Sequence, residues 1–403
     1  MAKLPAPRFL DSQTPPHIAT LTLMAGLGAL SMNVFLPSLP GMTEYFHTDY
    51  RLMQLSVALY LGVNAVLQII IGPISDSYGR RPVVLASIVL FLLATLGCLM
   101  SPTAQIFLAF RMAQAVIVAG LVLSRAAIRD MVPANQAASM IGYVTMGMAI
   151  VPMIGPAVGG VLDQAFGWKA NFWILIILGL LVLWLTWRDL GETATLREGG
   201  LKAQIAEYPE LLTSRRFWGY CLTAACASGS FFAYLGGAPF VGSVIYKMEP
   251  ARMGIFFGAP ALGYLVGNFV AGRFSIRLGI NPMILIGTVI STTGLAMSVA
   301  LFHLGLGSEW VFFGFMTLVG LGNGMVLPNA NAGMLSVRPQ LAGSAAGLGG
   351  ALLIGGGAGL SAIAGSMLAP QTGAFPLLWL MFLSSAASIL AIWWVIRRET
   401  ALW

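Results

Sequence analysis

Charged side chains are scarce in this chain. Only 9% of its 403 residues are Asp, Glu, Lys or Arg, against about 25% in a soluble globular domain, so an ordinary soluble enzyme or binding domain is excluded. Cysteine and histidine are scarcer, with three of each. Cys98, Cys221 and Cys226 fall inside apolar runs and read as small buried residues, not as a disulfide framework or a metal site. His17, His47 and His303 stand apart at the edges of apolar runs and read as interfacial. No metal-ligand spacing, phosphate-binding loop or nucleophile constellation occurs, so neither an enzyme nor a resident cofactor or metal is expected. A membrane receptor would need a sensory domain, and no stretch is long and polar enough to fold as one. A cleavable leader is not expected either: the first seventeen residues are polar and proline-rich, and the first apolar run is long enough to span a bilayer.

What fills the chain is apolar text: 58% of residues are hydrophobic and the mean hydropathy is +0.86. The expectation is an all-α polytopic membrane protein, because an open sheet cannot cross lipid. Twelve spans are predicted at about 17–40, 52–75, 82–101, 104–130, 136–164, 168–188, 216–240, 250–272, 281–303, 308–336, 341–367 and 374–396. With this composition the net charge of +7 concerns membrane orientation and calls for no nucleic-acid partner. If both termini are cytoplasmic, sixteen of the 21 lysines and arginines fall on that side, among them Arg80, Arg81, Arg125, Arg129 and Arg338. Only Arg51, Lys169, Lys247 and Arg252 fall on the other, which satisfies the positive-inside rule. Arg111 is the one charged residue placed well within a span.

The longest polar stretch, residues 188–216, reads as a cytoplasmic linker, with room for an amphipathic helix near Leu201–Leu212 lying on the membrane. It divides the chain into six-helix halves, residues 1–187 and 216–403, joined by 188–215. The halves echo one another. Gly272 and Gly279 repeat the seven-residue step of Gly72 and Gly79, with Ile276 in the place of Asp76. Gly120-Leu-Val-Leu is echoed by Gly324-Met-Val-Leu, and Pro133 by Pro339. Together these predict a parallel repeat of two six-helix bundles.

Three stretches carry more than packing. Residues 72–82, GPISDSYGRRP, set an acid, a turn and two cations at a membrane edge: Gly72 is expected to allow a close helix approach. Gly79 can take the left-handed conformation that turns the chain. Pro82 suits the first turn of the next helix. Arg80 and Arg81 are then free to face lipid phosphates or nearby carboxylates. In the fifth span, Gly155, Pro156, Gly159 and Gly160 form a flat, kinked strip suited to tight helix contact. A charge at Arg111, followed by Gln114, costs about 2.5–3.5 kcal/mol near mid-membrane on insertion scales, so it should face a cavity or a partner, unless it snorkels outward. Among other polar or aromatic span residues, Tyr60, Phe231, Tyr234, Asn329 and Asn331 are candidate pocket-lining groups. Ordinary packing is the alternative for the aromatics.

The spacing Gly-x-x-x-Asp-x-x-Gly-Arg-Arg resembles the signature between helices 2 and 3 of the major facilitator superfamily. Gly-Pro-x-x-Gly-Gly resembles the helix 5 signature of its antiporter branches, and Arg-x-x-Gln resembles the helix 4 signature linked to proton transfer, with Ala115 in place of the family's glycine. With Asn33-Val-Phe-Leu-Pro37, Tyr60 and Gln68 added, nearly the whole chain resembles the bicyclomycin-resistance (Bcr/CflA) drug exporters. The resemblance implies a monomeric exporter in the bacterial inner membrane, moving a small-molecule substrate in exchange for protons. It also implies that Asp76, Arg80 and Asp130 latch the two halves together at the cytoplasmic face. One residue departs from it: Asn33 stands where many relatives have a titrating Asp. Coupling would then fall to a rim group such as Asp130, Glu44, Asp49 or His303. Otherwise the chain is a proton-independent facilitator or a small-metabolite exporter.

Overall fold

Apolar runs of about twenty residues leave their backbone polar groups no water to bond with, and the helix satisfies them within the segment. The structure, a computed structural model, describes residues 9–131, 140, 144, 151, 154–194, 209–338 and 341–400. Eleven helices among them are long and apolar enough to cross a membrane: α1 (Ile18–Tyr45), α2 (Tyr50–Tyr78), α3 (Arg80–Met100), α4 (Ala104–Met131), α6 (Lys169–Asp189), α7 (Arg215–Ile245), α8 (Pro250–Leu278), α9 (Ile280–His303), α10 (Glu309–Val337), α11 (Ala345–Met367) and α12 (Phe375–Arg398). Helix α5 is described over residues 154–166. Apart from residues 140, 144 and 151, the rest of the fifth predicted span lies outside the described residues, as do Pro133, Pro339 and most of the Leu201–Leu212 stretch. No strand occurs among the described residues.

The helix ends follow local chemistry. Asp49, Thr103, Ser214 and Ser308 each accept a backbone N–H of the helix they precede, as side chains with a short oxygen do at N-caps. Gly79 (φ +95°) and Gly279 (φ +88°) make the two equivalent sharp turns, and their N–H groups donate to the carbonyls of Ser75 and Ser275. Ile276, standing where Asp76 does in the first copy, is 93% exposed. The repeat is therefore kept in the backbone and lost in the charges.

Within the first half, α1 packs on α4 and α6, and α3 on α4 and α6. Within the second, α10 packs on α7, α8 and α9, and α12 on α7 and α9. Between the halves, α2 lies along α11, and α1 and α2 touch α7. The end of the bundle away from the chain termini is sealed. There the Tyr50 hydroxyl donates to the Gly236 carbonyl (3.1 Å), Gln54 Nε2 to the Ser361 carbonyl (2.6 Å), and Gln164 Nε2 to Glu249 (3.0 Å). At the same end α5 meets α8 backbone to backbone. A methyl on Gly160 would run into the Pro250 carbonyl oxygen and lie 3.0 Å from Ala251 Cα. Reciprocally, one on Gly254 would run into the Pro156 carbonyl. Toward the terminal end the halves part: Gly272, Arg273, Phe274, Ile276, Arg277 and Leu278 expose every side of the end of α8.

Candidate functional site

Two of the helices in the first half are broken. Helix α1 is α-helical to Asn33, passes through a tight 3-10 turn at Leu36–Ser38 and resumes at Leu39, because Pro37 has no N–H to continue the ladder. Helix α4 is α-helical over Ala104–Ala113, tightens to 3-10 at Gln114–Ile117 and resumes at Val118. Discontinuous helices of this kind free backbone and side-chain polar groups inside a bundle.

Arg111 sits between these breaks and is 1% exposed, so it does not snorkel. Nη1 donates to Ser31 Oγ (3.2 Å) and Gln114 Oε1 (2.8 Å), and Nη2 to the Ser31 carbonyl (2.9 Å). Its Cζ lies 4.4 Å from the Phe35 ring centroid and 4.0 Å from that of Tyr60, so both faces of the guanidinium are covered by aromatic rings. Gln114 in turn donates to Thr95 Oγ1 (2.8 Å). Among the described residues no carboxylate joins this cluster. Hydrogen bonds to a charged group contribute about 1.5–3 kcal/mol each and a desolvated ring face about 2 kcal/mol. These are of the same order as the several kcal/mol that burying an ion costs. Three buried polar atoms here lack a partner: Arg111 Nε, the Tyr60 hydroxyl and Asn33 Oδ1. Asn33 Nδ2 donates to the Ala29 carbonyl (2.7 Å). Asn33 also faces the strip on α5, with its Cβ 3.8 Å from where a methyl on Gly155 would stand.

The strip has two working faces. Gly159 lies against α1, where a methyl would strike the Val34 carbonyl and stand 3.3 Å from Asn171 Oδ1. Asn171 ties the same place down, donating to Ser38 Oγ (2.9 Å) and to the Gly159 carbonyl (3.1 Å). Pro156 and Gly160 face α8 instead. The strip therefore holds the broken α1 on one side and the other half on the other.

The second half contributes less than its aromatic and amide residues promise. Tyr234 is 1% exposed and packed against Phe257, Phe312 and Phe313 at centroid distances of 5.1, 6.3 and 6.2 Å, so it belongs to an aromatic core. Phe231, stacked on it at 6.3 Å, keeps a partly exposed face. Asn329 is buried and donates to the Met325 carbonyl (2.8 Å), while Asn331 is exposed.

At the terminal end, Arg80 binds Asp76 (2.5 Å) and Asp130 (3.1 Å) and donates to Ser75 Oγ. Glu192 accepts the backbone N–H groups of Arg80 (2.8 Å) and Arg81 (3.2 Å) at the start of α3, and Arg81 reaches the Trp187 carbonyl (2.9 Å). Two expectations are corrected. The cluster joins α2, α3, α4 and the segment after α6, all within the first half, because at this end the halves stand apart. Gly72 serves no close approach, since a methyl there meets nothing within 4 Å. Four residues were missed. Ser31 and Phe35 complete the Arg111 cage. Glu192 fills the space over Gly79, and the buried Asp189 accepts the N–H groups of Leu10 (2.7 Å) and His17 (2.8 Å). The one signal for the last two is a pair of acids within four residues of a span end.

Asp76→Asn is expected to lower the transport rate about tenfold, equivalent to about 1.4 kcal/mol, without unfolding. Its partly exposed ion pair contributes under about 1 kcal/mol to stability, and Arg80 keeps Asp130. Transport and melting temperature measured on the same purified variant check both halves of that expectation.

A profile described as Major Facilitator Superfamily matches residues 21–353. The chain is 32% identical over 392 residues to an uncharacterized MFS-type transporter of Bacillus subtilis, covering 94% of this chain and 95% of that one. It is 25% identical over 387 residues to a bicyclomycin resistance protein homolog of Haemophilus influenzae, covering 95% and 96%. Among solved structures, a D-xylose–proton symporter superimposes with TM-score 0.71 over 94% of this chain and 96% of that one, at 16% identity, a likeness of fold alone.

Proposed function

Because the chain belongs to the Major Facilitator Superfamily, a multi-pass membrane transporter and not an enzyme, we propose that it exports amphipathic drug-like compounds by alternating access. The observation that carries this is the Arg111 cage. It is a buried cation with unmet polar atoms, set where α1 and α4 break, below a seal between the halves. The resemblance to a protein named for bicyclomycin resistance supports the substrate class. In this reading residues 1–187 and 216–403 rock about the seam as a monomer in the bacterial inner membrane. The excess of Lys and Arg near the terminal end supports cytoplasmic termini, so substrate enters from the cytoplasm and leaves when the glycine seam parts. Asn33, Tyr60, Arg111, Gln114 and Phe231 bind it, with Asn331 at the approach.

Protons are the proposed exchange partner. Asn33 cannot titrate, and the acid best placed to replace it is Asp163. It is half-buried on α5, one turn beyond Gly159 and close to Ser38 in the broken part of α1. Asp163→Asn is expected to abolish uptake driven by a proton gradient while leaving substrate-for-substrate exchange intact. The proton-independent reading rests on Asn33 alone. Inside-out vesicles decide between them, assayed with a panel of neutral, anionic and cationic antimicrobials. Energised vesicles should accumulate at least one compound only when the protein is present, and a protonophore should release it. Uptake that ignores the protonophore selects the facilitator, and no protein-dependent uptake across the panel rejects export.

A further inference from the structure

We infer that the substrates carry an acidic group and that the transport route turns organic cations away. This rests on the exporter reading and names its substrate class. At the rim of the opening Asp76 and Asp130 are taken up by Arg80, and inward of that rim the charges along α4 are of one sign. Among the described residues every Asp and Glu stands near a helix end or in a connecting segment. None of them reaches Arg111, whose hydrogen bonds and ring contacts are with Ser31, Gln114, Phe35 and Tyr60. Fourteen residues further along α4, roughly 20 Å at 1.5 Å per residue, stands Arg125. Its side chain is exposed and lies in the neighbourhood of Tyr264 of α8, in the opposite half. Arg129, one turn on, is exposed as well. Four helical turns separate Arg111 from Arg125, which puts the three on one side of α4. Clefts lined by one sign of charge concentrate ligands of the other.

At the inner end of this line the geometry suits an acid. A guanidinium has five N–H groups. The hydrogen bonds of Arg111 use both protons of Nη1 and one of Nη2, which leaves Nε and the second proton of Nη2. These two lie side by side on the side-on edge of the group, the edge a carboxylate or sulfonate grips with two parallel hydrogen bonds. With Phe35 above and Tyr60 below, both faces are covered, and this buried edge is the unmet part of the group, open to a ligand only when the bundle moves. Asn33, two residues beyond Ser31 on α1, is neutral and does not compete for the edge. Its Cβ faces Gly155 of α5, so an aspartate there would add a negative charge to the same stretch of α1 without taking the edge itself.

The test uses three ligands that share one ring system: 1-naphthylacetate, the neutral 1-naphthylacetamide and 1-naphthylmethylammonium, each in equilibrium dialysis at pH 7 against the full chain in lipid nanodiscs. The acid should bind at least about tenfold tighter than the cation, with the amide between them. Asn33→Asp should narrow the preference for the acid by weakening the acid and tightening the cation, opposite changes that misfolding cannot produce. Arg125→Ala should weaken the acid by about threefold at low salt, with the difference vanishing at high salt. The inference is overturned if the native chain binds the cation as tightly as the acid, or binds no acid. Inside-out vesicles keep the two claims apart. If the cation or amide is pumped and the acid is not, export stands and the acid class falls. If the acid is preferred in binding and none of the three is pumped, export falls instead.

Discussion

Arg111→Ala should lower transport at least about a hundredfold, about 2.7 kcal/mol of lost transition-state stabilisation, in a protein that still inserts and folds. The removed side chain ties α4 to α1 and α2. Without it Ser31 Oγ and Gln114 Oε1 lose their donor, and Phe35 and Tyr60 lose the cation between their rings. Folding tolerates this because no partner charge is left stranded, as would happen in an ion pair. Arg111→Lys should recover only a small part of the activity. An ammonium is a point charge and cannot hold Ser31, Gln114 and a bidentate ligand at once. Initial rates in proteoliposomes, with the melting temperature as control, give the answer; a native rate in the alanine variant would make the cage a packing feature.

Gly160→Ala is expected to have the second large effect, through the population of states and not through binding. Its methyl would run into the Pro250 carbonyl and stand 2.8 Å from that carbonyl carbon. Backbone cannot give way as a flexible side chain can, and overpacking of this kind costs about 1–3 kcal/mol. The clash exists only while α5 and α8 are together, so the whole cost falls on the sealed state. A shift of that size moves the ratio of sealed to parted molecules by about fivefold to a hundredfold. Ala157→Cys, opposite Gly254 in the seam, should become open to alkylation in this background, and transport should slow at least about tenfold. Gly159→Ala separates a different effect. Its methyl strikes Val34 within the same half, so it should lower the melting temperature in every state.

How far the sequence alone reaches depends on the kind of contact. GPISDSYGRRP was readable because its parts act locally: Gly79 turns the chain by its own backbone, and Asp76 finds Arg80 one helical turn away. The burial of Arg111 was readable because a charge inside an apolar run must be dealt with in place. Its cage was not, since Ser31 and Phe35 come from α1, eighty and seventy-six residues earlier, and apolar periodicity says nothing of which helix faces which. Glu192 and Asp189 lay in what reads as linker, and their targets are backbone N–H groups of α3 and the N-terminal segment, which no side-chain motif marks. Tyr234 went to a core rather than a pocket because aromatic spacing along a helix fits both. Gly72 illustrates the reverse error: small residues permit a close approach but do not require one.

The most direct test of alternation about the glycine seam is a distance across it. Spin labels at Phe166→Cys and Arg252→Cys, both exposed at the sealed end, report the separation of α5 and α8 by double electron–electron resonance. The native protein without substrate should give one short distance; substrate should add a longer population, and Gly160→Ala should make that longer population dominant. A single distance, unchanged by substrate and by Gly160→Ala, would contradict the account.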